Sequence, residues 1–153
     1  MAKSPDNPGI LDRSAGFMMG VTSRKLSQVF TQRLRLYDIT PEQWMVLYCI
    51  QERDGMIQKE IAQRACKDKP TTTRILDVLE SKQWITKQTG KSDRRSFLVY
   101  ATDKGRELIS QTEGIEIKTV KDATSGLSEA EYDQLLSLLR RIGDNIDHLT
   151  EKE

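Results

Sequence analysis

Apolar residues recur at intervals of three and four along most of this 153-residue chain, the period of helices that each bury one face. From about Ile10 to Tyr37 the positions Leu11, Ala15, Met18, Leu26, Val29, Leu34 and Tyr37 keep that spacing and predict one long helix. Gly16 and Gly20 weaken its start. The stretch ITPEQWMVLYCI carries the strongest local signal. Thr40 is an N-cap, Pro41 takes the first helical position, Gln43 completes a capping box, and Ile39 staples onto Trp44. This helix is expected to run to Glu52, with Trp44, Leu47, Tyr48, Cys49 and Ile50 toward the core and Gly55 ending the next turn.

Two short helices follow, in IQKEIAQRAC and KDKPTTTRILDVLESKQW. Asp68 or Lys69 caps the second, Pro70 lies in its first turn, and Ile75, Leu76 and Leu79 recur on one face. Thr71, Thr72, Thr73, Arg74 and Asp77 are left for other faces or for a partner. Two short helices with a tight polar joint form a helix-turn-helix pattern. WITKQT and SFLVYA then read as strands, with Phe97, Val99 and Ala101 on one side and the polar loop GKSDRR between them. Thr102 caps the next helix, in which Gly114 is a candidate bend. Ser128 and Glu131 form a second capping box, with Leu127 and Tyr132 as its staple. Leu135, Leu138, Leu139, Ile142, Ile146 and Leu149 make one apolar stripe along the last helix.

The formal net charge of +1 hides a strong asymmetry. Between Arg53 and Arg106 there are 13 basic and 7 acidic residues, against 5 basic and 11 acidic from Glu107 onward. A basic middle hints at an anionic partner for that segment. The single histidine, His148, and the two cysteines, Cys49 and Cys66, supply no Ser/His/Asp or Cys/His catalytic set and no metal-ligand cluster. No enzyme activity, cofactor or metal is therefore expected. Two cysteines suit a reducing compartment, no apolar run approaches membrane-spanning length, and MAKSPDNPG reads as a disordered leader, not a secretory signal. The expected location is cytoplasmic.

The stretch SDRRSFLVYATDKG is similar to the wing signature of the MarR family of bacterial transcription regulators: Asp-Arg-Arg, a short strand, then Thr-x-x-Gly opening a helix. QKEIAQRACKDKPTTTRILDVLESKQWI resembles the family's helix-turn-helix, and helix order and lengths agree from roughly Ile10 to Leu149. Four positions depart from the family pattern. Gln83 replaces a Gly at the end of the recognition helix, and Ile57 replaces a Thr or Ser cap. Ala101 replaces a Leu, and Val78 replaces a polar or basic residue that contacts DNA.

The resemblance implies a fold that is mainly α with a small β-hairpin wing, a winged helix-turn-helix flanked by dimerisation helices. The segments would be a leader at residues 1–9, an amino-terminal dimerisation helix at 10–37, the DNA-binding region at 38–102 and carboxy-terminal dimerisation helices at 103–153. It implies a homodimeric, sequence-specific regulator, most often a repressor, on a pseudo-palindromic operator in double-stranded DNA. Lys69, Thr71, Thr72, Thr73 and Arg74 would meet the major groove. At the wing tip Arg94 or Arg95 would enter a narrow minor groove, Asp93 would orient an arginine, and Lys91 would take a phosphate. Leu11, Leu135, Leu139, Ile142, Ile146 and Leu149 would form the dimer interface. A small aromatic or lipophilic effector would be lined by Phe17, Val21, Trp44, Tyr48 and Ile109. The family's peroxide-sensing branch uses a cysteine early in its first helix, and none precedes Cys49 here. Cys66, between Lys67 and Lys69, is the more reactive thiol by setting. Two other readings stand beside the regulator: a winged-helix module that binds only protein, and an architectural DNA-binding protein of low specificity.

Overall fold

The computed structural model describes residues 9–89 and 96–152. In chain order the elements are α1 (Ala15–Leu34), α2 (Pro41–Glu52), β1 (Met56–Ile57), α3 (Gln58–Ala65), α4 (Lys69–Ser81), β2 (Ile85–Thr89), β3 (Phe97–Ala101), α5 (Asp103–Ala123) and α6 (Glu129–Thr150). The chain divides after Thr119 into two compact parts.

The amino-terminal helix is shorter than its apolar spacing predicts. Leu11–Arg13 forms a single 3-10 turn, and Ser14 breaks the path with an extended backbone. The Ser14 hydroxyl then accepts the Phe17 N–H at 3.2 Å and starts α1. Only Phe30 and Leu34 of α1 are buried, whereas Met18 and Val29 stay exposed. The helix ends in a 3-10 turn, Arg35–Tyr37, closed by left-handed Asp38.

Local capping signals were reliable guides. Thr40 and Gln43 form the complete capping box of α2. Ile39 and Trp44 both enter the core, and the fully buried Val46 joins them. Trp44 is the hub. Phe30 meets its ring edge-on at 5.4 Å between centroids, and Tyr48 stacks on it at 5.1 Å. Its indole N–H donates to the Thr112 hydroxyl of α5 at 2.7 Å, and that hydroxyl donates to the Leu108 carbonyl. The one polar atom of a buried ring is thereby satisfied. Helix α2 packs against α1, α3, α4 and β3, so it is the floor on which the helix-turn-helix rests.

The wing is a sheet of three strands where the sequence shows only two. Residues Met56–Ile57 pair with β3, giving the antiparallel order β1-β3-β2. Phe97, Val99 and Ala101 share one side of β3, as expected; Val99 and Ile85 enter the core, whereas Phe97, at the outer end of the ladder, is 48% exposed. The ladder between β2 and β3 runs out to the pair Thr89↔Phe97.

Helix α4 ends in a Schellman motif. The Gln83 N–H donates to the Glu80 carbonyl at 2.9 Å and the Trp84 N–H to the Leu79 carbonyl at 3.0 Å. The motif requires a left-handed residue, and Gln83 supplies it at φ 63°. The glutamine therefore keeps the turn of a glycine and accepts its strain. The start of α5 closes on the same point. The Thr102 hydroxyl donates to the Gln83 carbonyl at 2.7 Å and accepts the Gly105 N–H at 3.0 Å. A Cβ on Gly105 would overlap the Trp84 carbonyl oxygen and lie 3.0 Å from its carbon. That close approach explains the Thr-x-x-Gly spacing. The helix continues without a break through Gly114.

In the part from Val120 onward, Ser128 and Glu131 form the predicted box and open α6. None of its residues is buried, and Leu135, Leu138, Leu139, Ile146 and Leu149 of the apolar stripe are 38–65% exposed.

Gly105→Ala is expected to destabilise the protein by at least about 2 kcal/mol in denaturant unfolding, because backbone must move. Gln83→Gly is expected to stabilise it by up to about 1 kcal/mol through relief of the left-handed strain. Hydrogen bonds from the capped helix ends also hold two carboxyls below their usual range. The Thr71 backbone N–H is the main cause at Asp68, and the Ser128 N–H at Glu131. A carboxyl lowered in the folded state stabilises it above the unfolded pKa and loses that contribution as pH falls through the folded pKa. The unfolding midpoint should therefore fall between about pH 5 and pH 2, with a shallower decline in Asp68→Ala.

Candidate nucleic-acid interface

The joint between α3 and α4 is built from short-range chemistry. Ile57 has no polar side chain to cap α3, but the Glu60 carboxylate reaches back to the Ile57 N–H at 3.1 Å and satisfies that donor. Helix α3 ends at Cys66, left-handed at φ 52°, with the Lys67 N–H returning to the Ala62 carbonyl. Asp68 then caps α4, accepting the Thr71 N–H at 2.8 Å, and Pro70 falls in the first turn.

The helical period sorts α4 into two faces. Thr72, Ile75, Leu76 and Leu79 are buried. Lys69, Pro70, Thr73, Arg74, Asp77, Val78 and Ser81 line one open surface depression. Three of the five residues expected to meet nucleic acid, Lys69, Thr73 and Arg74, therefore lie together on the outward face. Thr71 is half-buried beside the cap and does not line the depression. Thr72 is corrected. It is fully buried, and its hydroxyl donates to the Asp68 carbonyl at 2.8 Å, so it belongs to the core and not to a contact surface.

Two side chains missed by the sequence reading shape this face. The Gln58 amide, at the start of α3, donates to the Thr73 hydroxyl at 2.6 Å. That hydroxyl itself donates to the Lys69 carbonyl at 2.9 Å, so its proton is committed and its orientation is set. On the other side, Lys87 of β2 reaches across to α4, with its ammonium 2.9 Å from Asp77 and 3.8 Å from Glu80. Neither contact has a local sequence signal, because each joins residues ten or more positions apart or more than one element. The wing-tip candidates Lys91, Asp93, Arg94 and Arg95 lie outside the described residues.

The effector candidates are not brought together as expected. Trp44 and Tyr48 line a cavity of about 410 Å³ with Cys49, Arg64, Cys66 and Glu116. Phe17 and Val21 of α1 do not line it, and Ile109 is fully buried core with no surface to offer. Burial pushes the Cys49 thiol up, against the nearby Arg64 charge, and raises the Glu116 carboxyl as well. Cys49 is buried, and Cys66 is exposed. Among the described residues, no group of three or more His, Cys, Asp and Glu side chains is placed to hold a metal ion, and no helix is long and apolar enough to cross a membrane. The stripe residues of α6 and Leu11 at 56% exposure are accessible apolar surface in the single chain.

The MarR family model matches residues 39–97, which span α2 through the start of β3. Solved structures share the architecture over most of the chain. The transcriptional regulator SlyA is 27% identical, covering 86% of this chain and 92% of its own, with a TM-score of 0.80. MepR of S. aureus, solved in a complex with DNA, is 26% identical over 86% of this chain and 98% of its own, with a TM-score of 0.79. The transcriptional repressor CouR, solved on a 23-mer DNA duplex, is 27% identical over 92% of this chain and 99% of its own, with a TM-score of 0.81. The capped helix-turn-helix, the wing ladder and the Thr-x-x-Gly junction give the chain the winged-helix fold of these regulators, and its residues 39–97 carry the match to the MarR family.

Proposed function

We propose that this protein is a homodimeric, sequence-specific DNA-binding transcription regulator, a repressor that a small effector releases from its operator. The observation that carries the reading is the outward face of α4. It presents Lys69, Thr73 and Arg74 on one side of a rigid helix whose other side is core. A helix of this kind fits the major groove. Lys69 and the first turn suit phosphate, Arg74 suits guanine or phosphate, and the Thr73 and Val78 methyls suit a thymine methyl. The loop with Lys91, Arg94 and Arg95 would reach the neighbouring minor groove, with Asp93 orienting an arginine. DNA-bound MepR and CouR support this reading by their similarity.

The uncovered stripe of α6 supports dimerisation. An exposed row of leucines and isoleucines is unfavourable in water, and a second copy would cover it. Two-fold symmetry then calls for half-sites about one helical turn apart. The cavity beside Trp44 and Tyr48 is of a size suited to a small organic effector. Such a ligand would release DNA only by its preference for a conformation that spaces the two recognition helices wrongly.

Selection from a random-sequence duplex pool at moderate salt tests the regulator reading. A palindrome is expected to be enriched by the wild type and lost with Arg94→Ala/Arg95→Ala. Absence of any enriched sequence would contradict specific recognition, and absence of binding at low salt would leave a module that binds only protein. Leu135→Asp/Leu139→Asp is expected to convert a dimer to a monomer in light scattering and to abolish palindrome binding. A dimer that persists would place the interface elsewhere.

A further inference from the structure

The recognition helix carries an electrostatic fault that the wing corrects. A surface that approaches phosphate should be free of carboxylates, yet Asp77 lies on the outward face of α4, and Glu80 follows within one turn. Both are substantially exposed, at 62% and 47% of their side-chain surface. Lys87 is the half-buried partner of the two. Its side chain is only 19% exposed, its ammonium lies 2.9 Å from Asp77 and 3.8 Å from Glu80, and it stands in the middle of β2 opposite Val99. A lysine held this way has its donors directed at carboxylates. It is poorly placed to serve as a phosphate ligand itself.

We propose that Lys87 is a charge-balancing residue for DNA binding: from the wing strand it neutralises Asp77 and Glu80 on the recognition helix. The inference rests on the reading that α4 faces DNA. It assigns a function to a residue that touches no base. An unneutralised carboxylate within several ångströms of a phosphate repels it in a partly screened medium, and removal of Lys87 leaves two such groups. The same ion pair contributes little to folding, because its carboxylate side is exposed.

The asymmetry of the pair makes the idea testable. If Lys87 were only a strut, breaking the pair from either side would do equal harm. If it balances charge, only loss of the cation harms binding. Affinity for a mixed-sequence duplex should be measured at fixed low salt for Lys87→Met, which keeps the aliphatic stem, for Asp77→Asn, and for the two combined. Lys87→Met is expected to weaken binding roughly three- to tenfold, about the effect of one or two uncompensated carboxylates near phosphate. Asp77→Asn is expected to bind at least as well as the wild type. The double variant is expected to return to within about twofold of wild type, since it restores local balance. Lys87→Met/Glu129→Gln, which removes instead the exposed carboxylate at the start of α6, has the same total charge but leaves Asp77 in place, and is expected to stay weak.

Equal weakening by Lys87→Met and Asp77→Asn would overturn the inference in favour of a structural strut. A double variant as weak as Lys87→Met, with a salt slope flatter by about one, would overturn it in favour of a direct phosphate contact. In either case wild-type binding would leave the regulator reading intact. A wild type that binds no duplex at low salt would remove both. Unfolding midpoints of the four variants within a few degrees of wild type are expected, and a collapse of Lys87→Met alone would also count against the inference.

Discussion

Everything that positions the interface depends on one close approach, where the end of α4 and the start of α5 meet at Gly105. The Trp84 carbonyl sits against Gly105 with no room for a methyl group, and accepts the Thr102 N–H at 3.0 Å. The Thr102 hydroxyl bridges Gln83 and Gly105. Four chain ends converge there: the exit of the recognition helix, the entry to β2, the exit of β3 and the first turn of α5. The angle of α4 is set from its carboxy-terminal end by this junction and from its amino-terminal end by the Asp68 cap. Buried Trp84 and Leu79 seal the Schellman turn between them.

The core then decides which residues of α4 remain for chemistry. Helix α2 packs against α4, and Ile75, Leu76 and Leu79 join Trp44 and Leu47 in one buried cluster. The opposite side is free to carry Lys69, Thr73 and Arg74. Polar groups in the core follow one solution. Thr72, Thr112 and Thr119 each donate to a carbonyl one turn back, and Thr112 and Thr119 also accept from Trp44 and Arg33. No buried side-chain nitrogen or oxygen among the described residues lacks a partner. Rigidity of this kind is what a groove-reading helix requires, since mispositioned donors read nothing.

How much of this was legible depends on the range of the interaction. The capping boxes at Thr40 and Ser128 and the cap at Asp68 were readable because partner and donor lie three residues apart. The Gly at the Thr-x-x-Gly turn was visible as a motif, but its reason, the Trp84 carbonyl, lies across the fold. Thr72 was misread because threonine suits both a helix face in contact with DNA and a buried helix, and composition does not separate them. Its place one turn before Ile75 and Leu76 was the usable signal. Strand β1 is two residues long and has no pattern to detect. The first helix is shorter than its pattern because three-to-four spacing continues through Leu11 while the backbone breaks at Ser14. Gln58 and Lys87 act through contacts between elements, which periodicity does not encode.

Binding of duplex DNA by α4 and the wing, as proposed, is tested most directly by its salt dependence on a mixed-sequence duplex. A dimer that meets roughly six phosphates through Lys69, Arg74 and the wing cations should lose affinity linearly on a double-logarithmic plot, with a slope of about −5. No binding at low salt, or binding that barely changes with salt, would contradict it.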